Sequence, residues 1–400
     1  MLKDILARQL YGGNGWRITD ERQTAEGIEV QLVPTRGSAV CSGCGETKKR
    51  FYDTKHWDRR WRHLDGWGIR TLVIAPLRRV RCRRCGVRTE RVPWARTGSR
   101  FTHAFELEML KRARDTSIAG VCRQLGVHWT TVQRLITRWV KEVADKRFRR
   151  RLRKIGVDEI SYGRGQSKYL TVVWDHERGQ VVWIGEGREE QTLGQFFEKL
   201  GRRRAHRLWC VTMDMAHGYI AAVTEHAPQA EIVFDRFHIE RHLTEAVNEV
   251  RKEEFFRRGG RYRDVIRGKK FLLLKKRRRL HWRRRPQLDA LLALNRRLSR
   301  AYVLKEQFEH AWTYGTEAGM WEFLLSWRAM LRWTRLTPLL DFWGMIARHQ
   351  EGVTNWARWH LSNAALEGNN SRIRGLSQRA HGYRNPTNLM HAIYVSSWRP

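Results

Sequence analysis

The sequence predicts a multidomain α+β protein: a small β-rich unit, a helical unit, and a mixed α/β sheet followed by a long all-helical region. Three patterns support this prediction. Two Cys-x-x-Cys pairs bracket strand-like segments near the N-terminus, and apolar residues adopt helical spacing from Thr102. Short apolar strands then alternate with helices from Ile155 until Asp235, after which strand patterns stop.

Composition limits the possible partners. The chain has 400 residues, with 78 Lys and Arg against 41 Asp and Glu, and a formal net charge of +37. Its length predicts roughly two to four structural units, and 41% hydrophobic residues predict a folded chain. The excess of positive charge favours a polyanionic partner, of which DNA is the most obvious. A ribosomal or membrane-surface protein is the alternative that charge alone leaves open.

Membrane insertion is not expected. No apolar run approaches the roughly 20 residues that span a bilayer, and no apolar signal segment follows Met1. We therefore expect a cytoplasmic protein. Six cysteines, four of them in Cys-x-x-Cys pairs, suit a reducing compartment and a bound metal better than a disulfide framework.

Residues 1–95 are predicted to form the small β-rich unit, with strands at 27–33 and 69–74. Four thiolates can hold a structural Zn²⁺ in a closed tetrahedron: Cys41, Cys44, Cys82 and Cys85. The long spacer between the pairs allows His56 or His63 to compete as ligands, and unligated thiols are the alternative. Nearby arginines are expected to help keep the thiols deprotonated: Arg81, Arg83 and Arg84.

Residues 96–153 are predicted to form a helix-turn-helix domain and a basic linker. Apolar residues at 118, 121, 122 and 125 are followed by Gly126 and by a second helical pattern. The polar face of that second helix could reach base edges and phosphates in a major groove, through Thr130, Thr131, Gln133, Arg134, Thr137 and Arg138. A plain helical hairpin inside a bundle is the alternative.

Acidic residues at strand ends are the candidates for chemistry. The segment from 154 to 236 predicts a hairpin, a helix, a strand, a second helix and a last strand, after an initial strand that leads into Asp158. Asp175, Asp214 and Asp235 also end strands, and Glu367 lies in a helical pattern. Carboxylates gathered in this way can hold two magnesium ions, yet a single strand-terminal Asp is more often a turn former. The pattern alone does not choose among the four aspartates.

Residues 237–362 are predicted to be helical, basic and rich in tryptophan. Positions 251–300 contain 20 Lys or Arg against 4 acidic residues. Such charge favours contacts with the DNA backbone over a solvated face. Most of the tryptophans are expected in the core because they recur at helical spacing, as do Trp321, Trp327 and Trp333.

Four motifs together resemble the DDE transposases of the ISL-three (ISL3) family of bacterial insertion sequences. They are Gly156-Val157-Asp158-Glu159, Met213-Asp214-Met215, Phe234-Asp235-Arg236-Phe237-His238, and Glu367-Gly368-Asn369-Asn370 with Arg379, Gly382 and Tyr383. The order of cysteine pairs, helix-turn-helix and acidic motifs also matches that family. The resemblance spans nearly the whole chain.

The resemblance implies an RNase H-like catalytic core whose first strand lies beside its fourth, so that Asp158 and Asp214 are neighbours. It implies that residues 237–362 form an insertion, that residues 363–400 bring Glu367 to the two aspartates, and that residues 1–95 are a zinc ribbon. The three acidic residues would then bind two Mg²⁺ or Mn²⁺ ions for phosphodiester cleavage and strand transfer. Supporting roles are implied for Asp235, His238 and Asn370.

The partners implied are the terminal inverted repeats of an insertion sequence and a target DNA, in the bacterial nucleoid. A homodimer or higher assembly on paired ends is expected. The main rival is a DNA-binding regulator with the same N-terminal modules and a catalytically silent nuclease-like domain. An RNA-binding or ribosome-associated protein is a third possibility.

Overall fold

The computed structural model describes residues 15–53, 57–163, 168–257, 266–383 and 385–398. His56 lies outside these residues. The chain divides into two compact units, one up to Arg138 and one from Trp139 onward. Each unit is described by itself.

The first unit is built on a four-stranded sheet with two small hairpins. The sheet order is β1-β2-β6-β5, and the predicted strands at 27–33 and 69–74 are confirmed as β2 and β6, which pair in parallel. Leu32, Trp61, Val73 and Trp94 form its core. The strands are β1 (Trp16–Thr24), β2 (Gly27–Pro34), β3 (Ala39–Val40), β4 (Thr47–Lys48), β5 (Trp57–Gly66), β6 (Ile69–Leu77), β7 (Arg79–Cys82) and β8 (Gly86–Thr89).

Three helices follow: α1 (His103–Asp115), α2 (Ile118–Leu125) and α3 (Trp129–Phe148). The Thr102 hydroxyl accepts a hydrogen bond from the backbone N–H of Phe105 and so caps α1. Gly126 ends α2 with a φ of 61°, a left-handed conformation that glycine adopts without strain. Val121, Leu125 and Val132 are buried and Ile118 and Cys122 are half-buried, and both predicted helices are confirmed.

The second unit contains a five-stranded mixed sheet of order β11-β10-β9-β12-β13. β10 is antiparallel to both β9 and β11, whereas β12 is parallel to β9 and to β13. The first strand of this sheet therefore lies beside the fourth. The elements are β9 (Lys154–Ser161), β10 (Tyr169–Asp175), β11 (Gln180–Glu186), α4 (Glu190–Leu200), α5 (Arg202–Ala205), β12 (Cys210–Met213), α6 (His217–His226) and β13 (Glu231–Phe234).

Helices make up the rest of the second unit. The structure has no strand between 237 and 365 within its described residues, as predicted. None of the described helices is long and apolar enough to cross a membrane. The helices are α7 (Arg236–Arg257), α8 (Lys270–Leu274), α9 (Arg285–Leu294), α10 (Arg296–Phe308), α11 (Glu317–Met330), α12 (Thr337–Arg348), α13 (Gln350–Trp359), α14 (Ala364–Arg379) and α15 (Pro386–Ser396).

Aromatic packing joins these helices to the sheet in one continuous core. Trp327 is fully buried against Phe308 and Phe342, and its indole N–H donates to the carbonyl of Leu304. The prediction of a core position is therefore confirmed for Trp327, but it is wrong for Trp333, which is 85% exposed. Trp333 follows the end of α11 and has a φ of 63°, so the chain leaves the helical period before this residue.

We expect the first unit to lose stability in mild acid because folded His63 stays neutral. Burial lowers the pKa of His63 to about 4, whereas the pKa of an unfolded histidine is about 6.5. The unfolded chain thus binds a proton that the folded chain does not. The stability contribution is fully present above about pH 6.5 and falls by up to about 3 kcal/mol as the pH decreases to about 4.

His63→Asn keeps a polar atom near Thr102, whose hydroxyl lies 2.9 Å from Nδ1 of His63. This variant should flatten the acid limb of the pH profile, measured by urea unfolding and by hydrogen exchange in β5. His206→Asn, which changes an exposed histidine of the second unit, serves as the control. An unchanged acid limb in His63→Asn would contradict the expectation.

Candidate functional sites

The two cysteine pairs meet at one point in the first unit. One pair lies between β3 and β4; in the other, Cys82 ends β7 and Cys85 lies in the turn before β8. The sulfur atoms of Cys41, Cys44, Cys82 and Cys85 all lie within 4.8 Å of one another. A Cβ atom at Gly43 would lie 2.9 Å from Sγ of Cys85, so the turn closes tightly around the group. Four thiols gathered in this way fit a structural Zn²⁺.

The chain around Cys82 favours its thiolate. Burial acts to raise the pKa of Cys82, but hydrogen bonds from the backbone of Cys85 and Arg84 outweigh burial and lower the pKa to about 7. Backbone N–H groups therefore carry much of the role that the sequence assigned to arginine side chains. His63 is not part of the cysteine group, since its ring lies against Thr102 in the core.

A buried ion pair supports the cysteine hairpins, and sequence reasoning missed it. Nη2 of Arg78 lies 2.7 Å from Oε2 of Glu90. The same guanidinium donates to the carbonyls of Arg36 and Ser38, just before β3. Arg78 thus links the chain before the first cysteine pair to the strand after the second. Both partners are nearly inaccessible to solvent, so removal of either would leave an unpaired buried charge.

The predicted recognition residues do not share one environment. Thr130, Arg134 and Thr137 are exposed and lie on one stripe of α3, at helical spacing. Thr131 and Gln133 are half-buried. Arg138 donates a hydrogen bond of 2.8 Å to Oε2 of Glu106 on α1, so its guanidinium is held within the unit. Of the six predicted recognition residues, the three in the exposed stripe are therefore the most accessible to another molecule.

Asp158 lies on β9 of the second unit, and Asp214 directly follows the neighbouring strand β12. β12 and β9 pair in parallel, with Thr212 opposite Gly156, so Asp214 and Asp158 each stand two positions further along. Asp158 accepts hydrogen bonds from the Glu159 backbone N–H at 2.8 Å and from the Asn370 side chain at 2.7 Å. Oδ1 of Asp214 accepts from the backbone N–H of Ala216 at 3.0 Å.

Glu367 forms a compact group with two residues predicted as supporting. Ligand atoms of Asp235, His238 and Glu367 all lie within 4.8 Å of one another, and Asp235 is fully buried at the end of β13. Asp158 and Asp214 lie outside this group of described residues. Asp175, the other strand-terminal aspartate, accepts from the backbone N–H groups of residues 177 and 178 and so forms a turn.

Several buried polar atoms of this group have no hydrogen-bond partner among the described residues. They are Oδ2 of Asp235, Oε1 of Glu367 and Nδ1 of His238. Buried polar atoms are normally paired, so these atoms are suited to a cation. Carboxylate oxygens are the ligands that Mg²⁺ and Mn²⁺ prefer. The residues present therefore fit a divalent metal.

The carboxylates raise one another's affinity for protons. Burial, followed by the negative charges of Asp214 and Asp235, raises the pKa of Asp158 to about 7 against the opposing hydrogen bond from Glu159. Burial and the neighbouring Asp235 raise the pKa of Glu367 to about 7 as well. A divalent cation would replace these protons, because it stabilises the ionised form of each carboxylate.

Asn363 connects these acidic residues, and sequence reasoning assigned it no role. It is fully buried immediately before α14. Its side chain donates to the carbonyl of Val157 at 3.0 Å and accepts from the hydroxyl of Thr212 at 2.6 Å. Its backbone N–H points to Oδ1 of Asp235 at 3.3 Å, and its carbonyl accepts from the backbone N–H of Glu367.

Two features of the sequence bear on this contact: Asn363 precedes a helix, and the residue opposite it is Gly156. An Asn before a helix predicts an N-cap, but this side chain makes no cap hydrogen bond and turns to the sheet. Gly156 permits this approach, since a Cβ at that position would lie 2.6 Å from Oδ1 of Asn363. Only the folded sheet brings the two residues together.

Comparisons with known proteins cover almost the entire chain. Residues 37–85 match the zinc-finger of transposase IS204/IS1001/IS1096/IS1165. Residues 90–140 match the helix-turn-helix domain of transposase family ISL3, and residues 155–393 match the transposase domain of that family.

Two curated relatives are similar over most of their own length. The transposase for insertion sequence element IS1557 of Mycobacterium tuberculosis, found in strains CDC 1551 and H37Rv, is 32% identical over 399 residues. This match covers 93% of this chain and 89% of the relative. The transposase for insertion sequence element IS1001 of Bordetella parapertussis is 28% identical over 391 residues and covers 96% of each chain.

Asn363→Ala should destabilise the second unit and weaken its affinity for Mn²⁺. The substitution removes two buried hydrogen bonds, one to the carbonyl of Val157 and one from the hydroxyl of Thr212, which costs about 1–3 kcal/mol in unfolding free energy. It also frees the start of α14, which carries Glu367. Urea unfolding would measure the first effect, and Mn²⁺ titration followed by electron paramagnetic resonance would measure the second.

Asn355→Ala is a matched control. Asn355 is also buried, and its side chain donates to the carbonyl of Ile232 at 2.9 Å. Its loss should lower stability while leaving Mn²⁺ affinity intact. Equal Mn²⁺ affinities for Asn363→Ala and Asn355→Ala would show that Asn363 does not position the acidic residues.

Proposed function

Because this chain belongs to the ISL3 family of insertion-sequence transposases, we propose that it binds the terminal inverted repeats of its element and performs Mg²⁺-dependent phosphodiester cleavage and strand transfer. The resemblance drawn from the motifs is confirmed by the three family matches. The chain is a transposase with a DNA-binding helix-turn-helix domain. The choice between helix-turn-helix and plain helical hairpin is thereby settled in favour of the former.

One observation carries the catalytic part of the proposal: Glu367 lies within 4.8 Å of Asp235, which is far away in sequence, and close enough to Asp158 for that charge to raise the pKa of Glu367. The strand order β11-β10-β9-β12-β13 supports an RNase H-like core. In that core, Asp158 and Asp214 would lie on adjacent strands and Glu367 on the helix that follows a helical insertion. The proposed domain ranges are 1–95, 96–153, 154–236, 237–362 and 363–400.

In this proposal, Asp158, Asp214 and Glu367 hold the divalent ions, and Asp235 and His238 support them. Bound Mg²⁺ would supply positive charge that activates the attacking water and stabilises the leaving 3′ oxygen. Asn370 donates to Oδ2 of Asp158 and so orients that carboxylate. Asn363 keeps the start of α14 against β9 and β12, which fixes the position of Glu367 relative to the aspartates.

We assign recognition of the element ends to the exposed stripe of α3 and to the domain that contains the four cysteines. The basic helices would add contacts to phosphates without reading sequence. Transposition joins two element ends, so we propose that the protein acts as a homodimer or higher assembly on paired ends, with target DNA as a further partner.

Asp214→Asn should abolish cleavage and leave DNA binding unchanged. The amide keeps the size of the side chain but removes a negative charge that a divalent ion needs. We expect strand cleavage to fall by at least about 10³-fold, as when a group acting directly on the transition state is removed. The measurement is cleavage of labelled element-end duplex in Mg²⁺ or Mn²⁺, with binding followed by anisotropy.

Asp175→Asn provides the control for Asp214→Asn, because Asp175 also ends a strand but forms a turn. The control should retain cleavage once any loss of stability is compensated by a lower temperature. Cleavage by Asp214→Asn at the wild-type rate would favour a catalytically silent domain, as in a DNA-binding regulator.

Arg134→Ala and Arg138→Ala should affect different properties. Arg134 is exposed on α3, so its loss should weaken binding to the element ends by about 5- to 150-fold if it pairs with a base. Arg138 is held by Glu106, so its loss should mainly lower the stability of the first unit. Anisotropy with cognate and scrambled ends, together with urea unfolding, would separate the two effects. Equal losses of affinity in both variants would contradict the assignment of the exposed stripe.

A further inference from the structure

A groove lies beside the acidic site, at the start of α7. α7 begins directly after Asp235, so its first turn contains both His238 and Phe237. His238 faces the acidic group, whereas the ring of Phe237 is 54% exposed and lines a cavity of about 650 Å³. We call this cavity the α7 groove.

One wall of the α7 groove is a single face of α7. Phe237, Arg241 and Thr244 line it and follow one another at i, i+4 and i+7, so their side chains lie in a row. The row starts next to the acidic site, because the rings of Phe237 and His238 are in edge-to-face contact with centroids 5.6 Å apart. The groove therefore leads away from the carboxylates along the helix.

The opposite wall is basic and is held in place by a buried lysine. Lys275, Lys276 and Arg279 line this wall after the end of α8. The ammonium group of Lys305 is buried and donates to the carbonyls of Leu273 at 2.8 Å and Lys275 at 2.9 Å. These bonds fix the backbone from which the basic side chains project.

The balance of charge in the α7 groove is positive. Lys276 is engaged by Glu240 at 3.0 Å, and Arg241 lies 3.7 Å from Glu245. Lys275 and Arg279 are exposed and form no ion pair with a carboxylate of any described residue. Two cations thus remain available for an anionic ligand, beside an exposed aromatic ring.

This combination is typical of a site for single-stranded nucleic acid. Cations bind the phosphates of the strand, and an aromatic ring stacks on a base. The cavity is within the range of about 300–1,000 Å³ of sites that hold small molecules. An intact duplex keeps its bases stacked inside and has none to offer such a ring.

We propose that the α7 groove binds the DNA strand next to the scissile phosphate, with one unpaired base stacked on Phe237 and the adjoining phosphates on Lys275 and Arg279. The proposal rests on the proposed function, since the acidic site must act on DNA for the groove to receive this strand. It adds a requirement that the metal-binding residues do not impose: one base at the cleavage junction leaves the duplex.

The test compares element-end duplexes that each lack one base, at successive positions across the mapped cleavage junction. Binding is measured by anisotropy in Ca²⁺, which substitutes for Mg²⁺ as the probe cation. On the intact duplex, Phe237→Ala should bind at least about 5-fold more weakly than the wild type, as expected for a lost base–aromatic stack. At one member of the set this difference should disappear, because the missing base can no longer stack on the ring.

Two variants serve as controls. Phe237→Trp keeps an aromatic ring and should bind every member of the set as the wild type does. Phe256→Ala removes another exposed phenylalanine of α7, 68% exposed and outside the groove, and should behave as the wild type. Lys275→Ala combined with Arg279→Ala should weaken binding to every member of the set and reduce its salt dependence.

The outcomes separate this proposal from the proposed function. A wild-type protein that does not cleave element ends would overturn both. Normal cleavage together with equal affinities of Phe237→Ala and the wild type for the intact duplex would overturn the groove proposal alone. So would normal cleavage with a Phe237→Ala deficit of the same size at every member of the set.

Discussion

The second unit must hold several carboxylates close together in a partly buried site, although their negative charges repel one another. Asp158 lies within β9, Asp214 and Asp235 directly follow β12 and β13, and Glu367 lies on α14. Burial and the charges of neighbouring carboxylates raise the pKa of Asp158 and that of Glu367. Neutral donors hold them there. Asn370 binds Asp158, and Asn363 binds the strands that carry the aspartates. Among the described residues, Asp158, Asp214 and Glu367 form no ion pair with lysine or arginine, so the site keeps the negative charge that attracts a cation.

The first unit contains a group of thiols and a buried pair of opposite charges, whereas the second unit gathers several like charges. Its four thiols are suited to a bound ion, and the buried ion pair between Arg78 and Glu90 is supported by hydrogen bonds from Arg78 to backbone carbonyls. Both arrangements stiffen short hairpins that have little core of their own. The small unit can therefore present a recognition helix without a large hydrophobic interior.

Helical periodicity links the acidic site to the basic surface of the second unit. Along α7, position 238 faces the carboxylates while positions 237, 241 and 244 face the groove. One helix thus adjoins both a site that needs negative charge and a surface that needs positive charge. The net positive charge of the chain does not by itself place acidic and basic residues at different sites. Lys305 preserves the separation because it anchors the basic segment by its backbone and leaves the side chains exposed.

Local patterns predicted the elements well where burial follows the period of the chain. The strands around Asp158 and Asp214 and the helix of Glu367 are confirmed, as are both helices around Gly126. Trp333 shows where the period misleads, since it continues the spacing of Trp321 and Trp327 beyond the end of α11 and is exposed. The sequence does not distinguish Asp175 from Asp235, because each lies at the end of a strand. In the structure, Asp175 forms a turn, whereas Asp235 joins the acidic group.

The amino-acid sequence by itself determined the order of the modules, the cysteine group, the excess of positive charge and the identity of most acidic candidates. These properties depend on residue type and on spacing within one element. Tertiary structure alone decided that Asp235 and His238 lie close to Glu367, that Asn363 binds two strands and that the side chain of Phe237 lines a basic groove. Each of these contacts joins residues from different elements, and their distances depend on how strands pair and helices pack rather than on any local period.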